Sequence, residues 1–154
     1  MKPNGDLYCY LQHSSGLSVL LNRAGRTSGD GFGYDDAGFN VTLSDSAANG
    51  NIHTYRNVFV PPGGSGLSGF WQPDGRLISP MTVVDTDPVN AQLNVFNGLD
   101  ASGTWTLFLS DNSSGGNNLL NSWQLIITPV PEPSAVSLLA LGLGVVCVKA
   151  RRRM

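Results

Sequence analysis

No stretch before residue 134 repeats its apolar side chains every three or four positions, and that removes most helical folds from a chain of 154 residues. A helix packed on a core needs such a stripe. The chain alternates instead. Residues 6–12, DLYCYLQ, put Leu7, Cys9 and Leu11 on one face, the period of a half-buried strand. Ser14, Ser15 and Gly16 supply a turn, and residues 17–22, LSVLLN, return to close a hairpin. Val41–Leu43, Val83–Val84 and Leu93–Phe96 read as further short strands. Residues 45–80, rich in Gly, Asn, Ser and Pro, read as one long loop excursion. Residues 103–128 read as a second hairpin. Trp105, Leu107 and Leu109 share a face, Asn112 to Asn118 turn, and Leu120 to Thr128 return with Trp123, Leu125 and Ile127 together. Two tryptophans on facing strands would each bury ~150–250 Å². The expected class is all-β, a jelly-roll-like antiparallel β-sandwich over residues 1–128.

The last residues follow another rule. Residues 135–148, AVSLLALGLGVVCV, are apolar apart from Ser137, and Lys149, Arg151, Arg152 and Arg153 come directly after. A full membrane span takes about 20 apolar residues. A basic cluster at the end lengthens the effective span by snorkelling and sets the topology, body outside and basic end at 149–154 in the cytoplasm. Residues 129–134 contain Val130, Pro131, Glu132, Pro133 and Ser134; two prolines around one acid hold this linker extended. In this order the elements of residues 130–154 resemble the PEP-CTERM protein-sorting signal. The resemblance implies recognition by a membrane-embedded exosortase, cleavage near the motif, and a place in the cell envelope or outside it.

Charge agrees with that division. Residues 1–128 hold ten acids and five bases, and an acidic body lacks the basic face that nucleic acid requires. The two cysteines, Cys9 in a strand and Cys147 in the tail, form no disulfide framework.

The body also resembles a known module. Gly5-Asp6-Leu7, Gly16 to Leu21, Phe96-Asn97-Gly98, Gly103 to Leu107, Ser110-Asp111 and Leu120 to Leu125 occur in the order of the P/Homo B domain. That module accompanies subtilisin-type catalytic domains in proprotein convertases and bacterial proteases. The resemblance implies a jelly-roll-like sandwich that stabilises or docks and does not cleave. Only Met1 to Asn4 precede Gly5, where the family has one or two further strands, and no basic-then-apolar leader opens the chain. The expectation is a reading frame that starts upstream, or a chain that is a fragment of a longer one, and an unpaired sheet edge beside residues 6–12.

Candidate chemistry is sparse. A Ser-His-Asp triad needs mutual hydrogen-bond reach, and the chain has only His13, at a hairpin turn, and His53, in the presumed loop; both read as surface or turn residues. Gly64-Ser65-Gly66-Leu67-Ser68-Gly69 fits G-x-G-x-x-G, but prolines replace the flanking strand and helix of a dinucleotide site. Asp6, Asp35, Asp36 and Asp111 are candidate ligands for a structural Ca²⁺, against the alternative of turn-forming aspartates. Trp71, with Tyr34 and Tyr55, is a candidate sugar-stacking residue, against the alternative of a loop anchor folded onto the core. The leading expectation is a non-catalytic, exported module whose partners are the membrane, an exosortase and an exopolysaccharide or another envelope protein. The alternatives are the C-terminal piece of a secreted subtilisin-like serine endopeptidase and a carbohydrate-binding jelly roll.

Overall fold

The computed structural model describes residues 3–114 and 118–129. They fall into two units, the first ending at Trp123. Residues 124–129, in the second, hold neither helix nor strand.

The first unit contains β1 (Leu7–His13), β2 (Gly16–Asn22), β3 (Phe39–Leu43), β4 (Leu67–Trp71) and β5 (Thr106–Asp111). β1, β2 and β5 make an antiparallel sheet with β1 in the centre. The alternation of β1 has its expected consequence: Leu7, Cys9, Leu11 and His13 are all buried. The register slips after Cys9, which faces Leu21 while Tyr10 faces Val19, so Leu20 is the extra residue of a bulge. A bulge re-aims neighbouring side chains, and Val19 and Leu21 are both buried around it. β5 lies along the other side of β1, from Leu7 opposite Asp111 to Gln12 opposite Thr106. Residues 6–12 therefore have strand partners on both sides, which corrects the expectation of an unpaired edge there.

β3 and β4 pair in parallel, so the strand pairing is not wholly antiparallel as expected. Parallel neighbours require a crossover of about a dozen residues or more, and the stretch read as a loose excursion provides it. Inside that stretch lies a 3₁₀ segment, Ile52–Asn57. Ile52 and Tyr55 flank a kink at Thr54, and both are fully buried. They meet Leu67 and Trp71 of β4 and Leu7, Cys9, Leu21 and Ala24 in a single core. Phe39, Val41, Leu43, Leu107 and Leu109 pack around it, so side chains from both sheets enclose one apolar centre. The chain turns sharply out of β2 at Gly25, where a Cβ would stand 2.2 Å from the Tyr34 ring and φ is +81°. Only glycine meets both demands.

Three expected strands are absent as strands. Leu93–Phe96 is a 3₁₀ turn, because the Asp45 carboxylate accepts from the Leu93 N–H (2.9 Å) and from the Asn94 N–H. Val83 and Val84 lie in a turn in which the Val83 N–H donates to the Ser79 carbonyl and the Val84 N–H to Asp87 Oδ2. Val83 is nonetheless fully buried. Residues Leu120 to Thr128 carry no strand, and Trp123 is about half exposed. Trp105 does not face Trp123; it stacks on His13 (4.3 Å between centroids) and meets the Phe96 ring edge-on (4.8 Å). The expected membrane helix at 135–148 lies outside the described residues, among which no helix is long and apolar enough to cross a membrane.

Candidate functional site

The largest polar cluster sits against the core, where the turn leaving β2, the 3₁₀ segment and the chain after β4 converge. Asn51 caps the 3₁₀ segment, its Oδ1 accepting from the His53 N–H at 3.0 Å. That cap directs His53 inward. Its Nδ1 is 2.8 Å from Asp74 Oδ2 and its Nε2 is 2.9 Å from the Arg26 carbonyl. Asp74 Oδ2 also accepts from the Asn22 N–H (3.1 Å), and Oδ1 accepts from the Arg76 N–H (3.3 Å) and Nη1 (3.2 Å). The Arg76 guanidinium reaches on to Asn51 Oδ1 and to the Asp85 carbonyl, and the Asn22 side chain donates to the carbonyls of Arg76 and Ile78. His53 and Asp74 are 0 % exposed, which corrects the expectation of a surface histidine. Apart from Arg76 Nε and Asn22 Oδ1, which are buried without a partner, the polar side-chain atoms of these residues are engaged, and their bonds fasten three segments together. The geometry resembles two members of a triad but leaves no place for a serine hydroxyl, since a backbone carbonyl occupies the second ring nitrogen.

A second cluster is built on the other side of the 3₁₀ segment. The Tyr55 hydroxyl donates to Asp36 and accepts from Asn4 Nδ2. Arg56 Nε donates to the same Asp36 carboxylate at 2.8 Å, and its Nη2 donates to Asp35. The guanidinium lies over the Tyr34 ring, 4.8 Å from the centroid, a cation–π contact. The Arg56 hydrogen bond holds the Asp35 carboxyl below its ordinary range. Burial, followed by the Asp36 bond, pushes the Tyr55 hydroxyl well above its ordinary range. Asp36 itself is 1 % exposed.

The four aspartates expected around Ca²⁺ thus fall into two groups. Asp35 and Asp36 are engaged by Arg56. Asp6 stands 3.7 Å from the buried Arg23 guanidinium, and burial, opposed by Arg23, raises its carboxyl above the ordinary range. Asp111 accepts from the Ser113 N–H and from Asn118 Nδ2. Arg23 also donates to the Gly5 and Gly31 carbonyls. Among the described residues no three His, Cys, Asp or Glu side chains converge as metal ligands. A guanidinium stands against three of the four, Arg56 at Asp35 and Asp36 and Arg23 at Asp6.

Trp71 is 1 % exposed, with its Nε1 donating to the Ser68 carbonyl at 2.9 Å. Trp71 and Tyr55 both lie inside the core, away from solvent. His13 is buried too, its Nε2 2.9 Å from the Ser102 carbonyl and its Nδ1 accepting from the Ser15 N–H. The glycine run has a structural meaning: a Cβ at Gly66 would stand 2.9 Å from the Ala37 carbonyl, where the chain enters β4 beside β3. Asn22, Asn51, Asp74 and Arg76 were not singled out in the sequence. One signal was available, since only five bases lie in residues 1–128 and Arg76 directly follows Trp71-Gln72-Pro73-Asp74-Gly75.

Val130, Pro131, Glu132, Pro133 and Ser134, and Lys149, Arg151, Arg152 and Arg153, lie outside the described residues. There the comparison of sequences is informative. No curated protein and no solved structure matches the chain, and no P/Homo B family model matches residues 5–128. Residues 129–153 match the PEP-CTERM protein-sorting motif. That motif is recognised by an exosortase, a membrane protein, and it marks the chain as an exported protein sorted to the cell envelope.

Proposed function

We propose that the β-sheet body is a non-catalytic structural or interaction module, related to the P/Homo B sandwich, which the C-terminal segment delivers to the outer face of the envelope. The observation that carries this reading is the sorting motif directly behind the body, at residues 129–153. The apolar run at 135–148 crosses the membrane before processing, with the arginines on the cytoplasmic side. The non-catalytic role is supported by how the chemistry-bearing groups are used. Both ring nitrogens of His53 and both carboxylate oxygens of Asp74 are taken up by Arg76, by one another and by backbone, and His13 is packed against Trp105.

The test is expression of the full chain behind a secretion leader in an exosortase-bearing cell and in the same cell lacking the enzyme. Sorting predicts a membrane-held precursor in the second strain and a shortened surface form in the first. Identical, freely soluble material in both would overturn the reading. The catalytic question is separate and is read with a fluorophosphonate probe on the exported protein. Labelling of any serine at enzyme-like rates would refute the non-catalytic role.

A further inference from the structure

We infer that His53 is held as the imidazolium, a buried cation that clasps the turn after β2 to the segment after β4. The argument rests on the partners of its ring. Nε2 faces the Arg26 carbonyl at 2.9 Å, and a carbonyl only accepts. Nδ1 faces Asp74 Oδ2 at 2.8 Å. Asp74 receives four donors, from His53 Nδ1, the Asn22 N–H, the Arg76 N–H and Arg76 Nη1. A carboxylate so engaged acts as an acceptor throughout. Both ring nitrogens therefore donate, which only the doubly protonated ring can do.

His13 provides an internal contrast. Its Nε2 also faces a carbonyl, that of Ser102, but its Nδ1 accepts from the Ser15 N–H. The Ser15 hydroxyl also faces Nδ1, at 2.6 Å, and can donate to it, so a single ring proton satisfies both sides of that histidine.

The groups around His53 come from every segment packed on it. Asp74 and Arg76 lie after β4. Arg26, after β2, presents its carbonyl to the ring and sends Nη1 to the Pro80 carbonyl at 2.8 Å. Tyr8 of β1 lies within the field of the Asp74 carboxylate. Whichever nitrogen loses its proton, a lone pair is left against an oxygen at under 3 Å in a site with no solvent exposure. An unmade hydrogen bond at such depth is costly, so the contacts on both sides favour a ring that keeps both protons.

The experiment uses the full chain in detergent micelles, labelled with ¹⁵N at histidine. Long-range ¹H–¹⁵N correlation is expected to show two ring N–H protons for His53 and one for His13. A bare ring nitrogen on His53 in the folded protein would overturn the inference. A second readout is amide exchange at Gly25, whose N–H donates to the His53 carbonyl, and at Asn22, whose N–H donates to Asp74. In His53→Gln both are expected to accelerate severalfold beyond the β1 and β5 amides. Parallel acceleration everywhere, or none at all, would refute the clasp.

Discussion

The placement of Trp71 inside and Phe70 outside can be tested by truncating each. Trp71 is 1 % exposed and Phe70, one residue earlier on β4, is 65 % exposed. Removing a buried tryptophan to alanine costs about 3–5 kcal/mol through lost transfer energy and the cavity left behind. Here the Ser68 carbonyl also loses its donor, which adds up to ~1 kcal/mol. A body of roughly 120 residues has an unfolding entropy near 0.25 kcal/mol/K at its midpoint. Trp71→Ala should therefore lower Tm by about 12–24 °C. Phe70→Ala removes a side chain already in water, so the change should be within ~0.5 kcal/mol, or roughly 2 °C. Far-ultraviolet circular dichroism of the two purified variants beside the parent chain measures both shifts. Equal, small shifts for the two variants, with loss of glycan binding in Trp71→Ala, would refute the inward placement and restore a surface tryptophan.

Asp74→Asn leaves Arg76 and His53 without a counter-charge and should cost about 3–5 kcal/mol, read as a fall in the urea midpoint; an unchanged midpoint would remove the buried cluster from the account. Burial pushes the Cys9 thiol from 9.0 up to about 12. Its folded form thus keeps a proton that the unfolded chain loses, so its contribution to stability is intact below pH 9 and declines between pH 9.0 and about 12. With Cys147 replaced by alanine, iodoacetamide should leave native Cys9 unmodified at pH 8 and alkylate it after denaturation; fast native labelling would contradict its burial. Replacing Pro131, Glu132 and Pro133 together by alanine should leave the full chain unprocessed in an exosortase-bearing cell, as judged by mass on a blot of the membrane fraction.

The features legible in the sequence are those written in neighbouring residues. Alternation over Leu7, Cys9 and Leu11 declared a half-buried strand, and Ser14-Ser15-Gly16 declared its turn, because period and turn chemistry are local. The sorting segment is legible for the same reason: Pro-Glu-Pro, an apolar run and arginines are recognised as a linear string. What only the tertiary structure decided depends on residues far apart. Asp45 turned Leu93–Phe96 into a 3₁₀ segment from almost fifty positions upstream. The crossover needed for parallel β3 and β4 converted an apparent loop into the segment that supplies Ile52, Tyr55 and Trp71 to the core. Trp105 packed on His13 rather than on Trp123. His53, Asp74, Arg76 and Asn22 became one unit although no spacing links them, because a buried charge selects whichever donors the fold brings within reach, and that choice is made in three dimensions.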